Sequence, residues 1–233
     1  MFFFNDLRTA CFGVIAANTI ALTASAAPVS SDLIITGVID GPISGGLPKA
    51  IELYVVDDIT DLSSYGLGTA NNGAASAGVE TSLTGSASAG QFLYVSEDST
   101  EFSNFFGFAP DIVAGGGASS FNGDDVVELF MGNSVVDVFG ELGVDGTGEP
   151  WEYLDGWSYR KDATGPDGSS FVLSSWTFSG ANALDGLTSN TGANAFPIGS
   201  YQGMAPIPLP ASFPLLLAGL GGLAWLRRRK IAA

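Results

Sequence analysis

The sequence predicts an all-β fold. Apolar and polar residues alternate over short runs, and stretches rich in Gly, Asn and Asp separate these runs. No window shows a sustained apolar stripe with the 3.6-residue period of a helix. Many short strands joined by such turns are typical of a β-sandwich or a β-barrel.

The strand runs follow one another along most of the chain. The clearest is residues 50–56, in which Ile51, Leu53 and Val55 share one face. A Gly-containing connection at residues 132–134 predicts a hairpin between two later runs. In chain order the predicted strands are residues 32–39, 50–56, 91–95, 126–131 and 135–139, with weaker candidates at 152–160 and 170–178.

The N-terminus is typical of a cleaved signal peptide. Arg8 precedes an apolar stretch at residues 10–23, which is too short to span a bilayer comfortably. Ala24 and Ala26 then form an A-x-A cleavage pattern. The sequence therefore predicts a signal helix at residues 1–26, with an uncleaved anchor or a buried helix as the alternative.

The region between the two ends is strongly acidic. Residues 27–202 contain three basic residues (Lys49, Arg160 and Lys161) against 23 acidic ones, which gives a net charge of −20. A domain of this charge repels phosphate backbones, so we do not expect nucleic acid as a partner. Solubility in a salty exterior explains the acidity, and a dedicated cation site is the alternative explanation.

Several kinds of catalytic chemistry are excluded by residue types. The chain has no histidine, and its single cysteine, Cys11, lies in the predicted signal peptide. Ser-His-Asp triads, imidazole bases, thiolate nucleophiles and His- or Cys-ligated metals are therefore excluded in the exported region. A glycosidase with two carboxylates stays open, although no feature marks two acids as a pair. We expect no catalytic residue and no enzymatic activity.

The C-terminal tail, residues 203–233, combines three features in order. Residues 207–211 read Ile-Pro-Leu-Pro-Ala, and a short, Gly-rich apolar stretch at 209–226 leads to a basic cluster. The apolar stretch partitions into the bilayer while the basic cluster stays cytoplasmic. We predict a short transmembrane helix here, with a permanent anchor as the alternative to a temporary one. The motif residues are Pro208, Leu209, Pro210 and Ala211, and the membrane stop is Arg227, Arg228, Arg229 and Lys230.

This tail resembles the PEP-CTERM class of sorting signals, in the variant with a Val-Pro-Leu-Pro-Ala motif (VPLPA-CTERM). Ile207 replaces the valine. The resemblance implies a Gram-negative host and processing near the motif by an exosortase-type membrane protease. It also implies export across the inner membrane, transient anchoring, and then transfer to the cell surface or the exopolysaccharide matrix.

The central region resembles bacterial lamin-tail-like domains, which open with a strand followed by a Lys-x-Ile-Glu-Leu-Tyr strand. Gly37 departs from the family pattern, which has Glu there, and residues 71–77 and 114–120 are inserts. The resemblance implies an immunoglobulin-like β-sandwich for the domain at residues 27–202. The segments that carry it are residues 33–36, 45–54, 61–67, 122–129 and 136–143.

Residues 145–157 contain the candidate ligand-binding groups. Trp151 and Trp157 are candidates for stacking on a sugar ring, although we favour the interpretation that they close the core. Asp145 and Glu149 are candidate calcium ligands, against the alternative of local turn chemistry. Glu52 is interpreted as a structural partner of Lys49 on a strand surface.

The leading functional hypothesis is a non-catalytic binding or structural module that presents loops to an extracellular polysaccharide or protein. It requires no cofactor. A carboxylate-based hydrolase acting on extracellular polysaccharide and a calcium-dependent adhesin are the alternatives.

Overall fold

The residues that the structure describes form two β-sheets and one short α-helix, which confirms the predicted β-rich class. The computed structural model describes residues 31–114, 117–118 and 120–203. The helix is α1 (Ser99–Phe106). The strands in the described residues are β1 (Leu33–Asp40), β2 (Ala50–Val55), β3 (Tyr65–Ala70), β4 (Thr81–Ser82), β5 (Phe92–Ser96), β6 (Ile112–Val113), β7 (Val126–Met131), β8 (Ser134–Phe139), β9 (Gly156–Arg160) and β10 (Trp176–Phe178).

The larger sheet has six strands in the order β10-β9-β1-β2-β5-β6. Its pairs are antiparallel except for the short β6, which runs parallel to β5. β1 lies in the middle, and all eight of its residues are buried because both faces of the sheet are covered. Burial on both faces is why this strand reads as a nearly continuous apolar run rather than as an alternating one.

The smaller sheet has four strands in the order β4-β3-β7-β8. The predicted hairpin is present and consists of β7 and β8. Val127 pairs with Phe139 at its open end, and Met131 pairs with Ser134 at the turn. Its connection is two residues long rather than three, because Ser134 already pairs with Met131. A β-bulge between Leu129 and Phe130 shifts the register within the hairpin.

The main hydrophobic core draws side chains from both sheets. Leu33 and Leu53 come from the larger sheet, and Leu67 and Leu129 come from the smaller one. A group of aromatic side chains from strands and from the loops between them completes this core. They are Phe121, Phe139, Trp151, Tyr153 and Trp176.

A second core covers the opposite face of the six-stranded sheet. It is formed by α1 and by the C-terminal segment 184–203, which crosses this face after the last strand. Phe102 and Phe105 of the helix and Leu184 and Phe196 of the segment are all buried there. The six-stranded sheet therefore lies between two apolar layers.

The helix α1 was not predicted. Asp98 caps its first turn by accepting hydrogen bonds from the backbone N–H groups of Thr100 and Glu101, each at 2.9 Å. Gly107 ends the helix in the left-handed conformation. Two turns are too few to produce a sustained apolar stripe, so the capping residues were the available signal.

Both predicted sorting segments lie outside the described residues. These are the signal peptide with Ala24 and Ala26, and the tail with the motif at 208–211 and the basic cluster at 227–230. Among the described residues, no helix combines the length and the apolar character that a membrane span requires.

Candidate functional site

A buried lysine at the end of the six-stranded sheet organises the most polar cluster of the domain. Lys49 directly precedes β2 and is only 6 % exposed. Its Nζ lies 2.7 Å from Oδ1 of Asp40, the last residue of β1, and 3.2 Å from Oδ1 of Asn122. Asp40 is 1 % exposed. The amine therefore connects the larger sheet to the loop that leads into β7 of the smaller sheet.

The loop 41–48 can pack against this cluster because it has a glycine at position 46. Ile43 and Leu47 form a short bridge, and Gly46 adopts a positive φ of 72° within it. A Cβ atom at Gly46 would collide with Asp40 Oδ1 and would lie 2.6 Å from Lys49 Nζ. Any other residue here would therefore push the loop away from the ion pair.

Burial shapes the electrostatics of Asp40. Desolvation raises the pKa of its carboxyl, and the hydrogen bond and positive charge of Lys49 lower it. The second carboxylate oxygen accepts a hydrogen bond from the Gly123 N–H at 3.1 Å. Asp40 thus holds both partners of the cluster, the lysine through one oxygen and the Asn122–Gly123 peptide through the other.

Asp125 fixes the loop 122–125 from within. Its carboxylate accepts hydrogen bonds from the backbone N–H groups of Asn72, at 2.7 Å, and Asn122, at 2.6 Å. Burial raises the pKa of Asp125, and these two bonds lower it. Asp124 and Asp125 directly precede strand β7.

Asp145 and Glu149, the candidate calcium ligands, lie in the exposed loop 141–150. Asp145 Oδ1 accepts a hydrogen bond from the Thr147 N–H at 3.0 Å, which lowers the pKa of Asp145. Thr147 Oγ1 in turn donates to Asp124 Oδ2 at 2.9 Å. In the part of the chain that the structure describes, no group of three or more acidic side chains is placed to hold a metal ion.

The two tryptophans of the candidate sugar face are not brought together. Trp151 is 2 % exposed and belongs to the main core, where its ring contacts Phe139 and Phe171 at centroid distances of 6.0 and 6.1 Å. Trp157 is half-buried against the second core, and its Nε1 donates to Asn194 O at 2.7 Å. They therefore belong to separate clusters.

The interpretation of Glu52 as a surface partner of Lys49 is wrong. Glu52 is buried and accepts hydrogen bonds from Tyr159 Oη at 2.6 Å, Thr36 Oγ1 at 2.7 Å and the Gly199 N–H at 2.7 Å. Residues three apart on an extended chain point to opposite faces, so Lys49 and Glu52 cannot pair across one face. The carboxylate instead holds the C-terminal segment 184–203 on the sheet.

The sequence analysis also missed an ion pair in the main core. Arg160, at the end of β9, points into the core toward Asp137 of β8, and both side chains are fully buried. The composition contained one signal for this ion pair. Residues 27–202 have only three basic residues against 23 acidic ones, so a basic residue within an apolar run is a candidate for a buried ion pair. Two of the three basic residues are in fact buried in ion pairs.

The cluster of Lys49, Asp40 and Asn122 thus combines an amine, a carboxyl and a carboxamide within hydrogen-bonding distance at the junction of the two sheets. No protein-family model matches the chain, and no curated protein or solved structure matches it significantly.

Proposed function

We propose that the chain is a non-catalytic exported module, which an exosortase-type membrane protease sorts to the cell surface or the exopolysaccharide matrix of a Gram-negative bacterium. One observation carries the proposal. The Pro-Leu-Pro-Ala motif at 208–211, the short apolar stretch and the basic cluster at 227–230 occur together and in order. The module binds an extracellular polysaccharide or protein, or has a structural role in the matrix.

For the exported domain we propose an immunoglobulin-like β-sandwich of the lamin-tail-like type. The contribution of both sheets to one core supports this architecture. The contact between Lys49 and Asn122 supports the family resemblance, because each residue belongs to a different segment that carries it. Two segments 73 residues apart in sequence thereby meet in one cluster.

The partners of the buried acids support a non-catalytic role. Asp40, Glu52, Asp125 and Asp137 have raised pKa values because of burial, yet each accepts hydrogen bonds from groups of the domain itself. Such acids are engaged within the domain, whereas a general acid that acts on an external substrate must reach that substrate. The exposed acids of the loop 141–150 favour a partner other than nucleic acid.

One observation favours the second candidate function, a carboxylate-based hydrolase. Glu128 has a pKa raised by burial and further by the charge of Glu80, and its Oε2 has no hydrogen-bond partner among the described residues. Glu128 is only 2 % exposed, however, which keeps a polymer away from it. Loss of polysaccharide hydrolysis in an otherwise stable Glu128→Gln variant would favour the hydrolase over our proposal.

A melting experiment distinguishes the third candidate, a calcium-dependent adhesin, from the proposed module. Under our proposal the melting temperature is the same in EDTA and in excess Ca²⁺, because the carboxylates of the loop 141–150 are exposed and Asp145 is engaged with Thr147. A rise in melting temperature with Ca²⁺ that Asp145→Asn abolishes would favour the adhesin.

The sorting proposal is tested by the mass and location of the protein in its host. With the membrane protease present, we expect a product that has lost the C-terminal tail and lies outside the inner membrane. Deletion of the protease, or Pro208→Ala together with Pro210→Ala, should leave the full tail in the membrane fraction. Pro206→Ala lies outside the motif and serves as the matched control. Identical mass and location in all four strains would contradict the proposal.

A further inference from the structure

The cluster around Lys49 has the composition of a self-contained amide-forming site. We propose that Lys49 and Asn122 become joined by an isopeptide bond between Nζ and Cγ, with Asp40 moving the protons. Lys49 precedes β2 of the six-stranded sheet, and Asn122 lies in the loop before β7 of the four-stranded sheet. The bond therefore cross-links the two sheets covalently. The proposal concerns the domain alone and does not depend on how the chain is sorted.

The first support is position. Lys49 Nζ lies 3.2 Å from Oδ1 of Asn122, the oxygen bonded to the carbon that the amine attacks. Reactions between groups held in contact in this way are accelerated because no diffusion or reorientation precedes the bond-forming step. The lysine is held from the other side by Asp40 at 2.7 Å, so its amine cannot swing away into solvent.

The second support is the burial of the amine and the carboxyl side by side. A lysine amine is nucleophilic only when it is neutral. Lys49 and Asp40 are both buried, and taking a charged pair out of water is costly. Transfer of one proton from the ammonium group to Asp40 removes both charges. Because burial raises the pKa of Asp40, its carboxyl is the natural acceptor of that proton.

The reaction balances without any further reactant. The lone pair of the neutral Nζ attacks Cγ of Asn122, and a new C–N bond forms. The bond from Cγ to Nδ2 breaks, and Asp40 passes the proton it received to Nδ2. The first proton makes the leaving group ammonia, and the second amine proton follows through the same carboxyl to that ammonia, which departs as ammonium. Asp40 ends in the state in which it began, so its role is that of a general acid and base.

The surroundings suit both the attack and the departure of ammonia. Gly46 lies directly against Asp40 and Lys49 and excludes water from that side. Asn122, by contrast, is exposed, so ammonia has a path to solvent. The mature region also has no cysteine. An isopeptide bond would give such an exported domain the covalent bracing that disulfides give others.

Succinimide formation at Asn122 is a competing reaction that the test must distinguish from isopeptide formation. Asn122 is followed by Gly123, and the Gly123 nitrogen could attack the same carbon to form a succinimide with loss of the same ammonia. In the structure the Gly123 N–H donates to Asp40 Oδ2 at 3.1 Å, which holds that nitrogen away from the attack. Both products lose about 17 Da, so mass alone does not distinguish them.

The test uses the full chain, purified and then unfolded before digestion. An intact mass about 17 Da below the sequence mass is expected for the chain with its observed termini. Trypsin should fail to cleave between Lys49 and Ala50, since an acylated lysine is not a substrate, while cleavage after Lys161 provides an internal control. No other basic residue lies between Arg8 and Arg160, so one long fragment is expected. A full sequence mass with cleavage after Lys49 overturns the proposal.

Three variants and one control variant, Lys161→Arg, complete the test. Lys49→Arg keeps a cation beside Asp40 but has no nucleophilic amine, and Asn122→Ala removes the carboxamide. Both should show their full sequence masses. Asp40→Ala, scored on the fraction that is folded by circular dichroism, should also stay uncross-linked. Lys161→Arg should keep the loss of about 17 Da. Retention of that loss in Lys49→Arg identifies a succinimide and overturns the proposal.

Discussion

Asp137 and Arg160 connect the two sheets through an ion pair that is completely buried. Arg160 Nη2 lies 2.8 Å from both carboxylate oxygens of Asp137, and each side chain has zero exposure. Asp137 also accepts hydrogen bonds from the backbone N–H groups of Ile35 and Asp167, and the guanidinium stacks 4.4 Å above Trp176. Every polar atom of the carboxylate is thus engaged, as a buried charge requires.

Asp137→Asn should destabilise the domain strongly. The substitution keeps the shape of the side chain but leaves the guanidinium of Arg160 without its main counter-charge in the core. Removing one partner of a buried ion pair typically costs about 3–5 kcal/mol. The measurement is the free energy of unfolding in urea at pH 7. Asp57→Asn, the same substitution at an exposed acid, should change it by less than about 0.5 kcal/mol.

A smaller loss in the free energy of unfolding of Asp137→Asn would identify Asp167 as a sufficient partner of Arg160. If Asp137→Asn costs less than about 1 kcal/mol, Asp167 alone satisfies the guanidinium, since Arg160 Nη1 also lies 2.7 Å from Asp167 Oδ2. The double variant Asp137→Asn/Asp167→Asn would then show the missing energy.

Glu128→Gln should stabilise the domain at pH 8 and change little at pH 4. Burial raises the pKa of Glu128 above its ordinary value, the charge of Glu80 adds to this, and a hydrogen bond from Ser76 opposes it. The native state therefore binds the proton more tightly than the unfolded state, and stability from this group is lost as the pH rises through the native pKa. Gln carries no charge, so the variant avoids that loss.

At pH 8 the variant should have a higher free energy of unfolding by urea than the wild type. Glu141→Gln, at an exposed position, is the matched control and should show no such dependence on pH. A variant that is less stable than the wild type at pH 8 would mean that the ionised Glu128 has a favourable partner, such as a cation.

Local patterns in the sequence were enough to predict several strands. β2 alternates along its length, and the hairpin of β7 and β8 has a turn signal between two apolar runs. β3 was missed, because its glycines break the apolar pattern. Gly66 and Gly68 are needed there for packing, since a Cβ at Gly68 would collide with Gly78 O. β4 and β6 have two residues each, which is too short for any periodicity.

The candidate site could be predicted only in part. The segments containing Lys49 and Asn122 were singled out by their resemblance to a family, but their contact was not expected. Asp40 carried no signal, because an acid at the end of an apolar run looks like an ordinary turn residue. Which side chains meet across two sheets depends on the packing of distant segments, and a pattern within one segment does not contain that information.

Glu52→Gln should loosen the C-terminal segment 184–203 without unfolding the domain. The Gln amide places a donor against either the Gly199 N–H or the hydroxyl groups of Thr36 and Tyr159, so at least one hydrogen bond is lost. We expect the exchange protection of the backbone N–H groups at 199–201 to fall by about tenfold.

The measurement is amide hydrogen exchange on the folded domain. Tyr159→Phe should have a similar local effect, because Tyr159 Oη also accepts hydrogen bonds from the Ser200 and Tyr201 N–H groups, each at 3.0 Å. Tyr65→Phe is the matched control in the other sheet. Equal loss of protection in β7 would show that Glu52 supports the whole fold rather than this segment.

Gly37→Ala should destabilise the domain mainly through the ring of Phe196. Gly37 lies in β1, and a Cβ there would collide with Cζ of Phe196 and would lie 3.0 Å from Cδ2 of Tyr159. Phe196 is buried in the second core, with its ring 5.3 Å from that of Tyr159, so it has little room to move. Overpacking of this kind costs about 1–3 kcal/mol, measured by urea unfolding.

A double-mutant cycle tests whether Phe196 is the cause. In a Phe196→Ala background the main obstructing ring is gone and Tyr159 is the remaining tight neighbour, so adding Gly37→Ala should cost much less. The coupling energy between the two positions should therefore be at least about 1 kcal/mol. Strictly additive losses would mean that the cost comes from the contact with Tyr159 and not from the ring of Phe196.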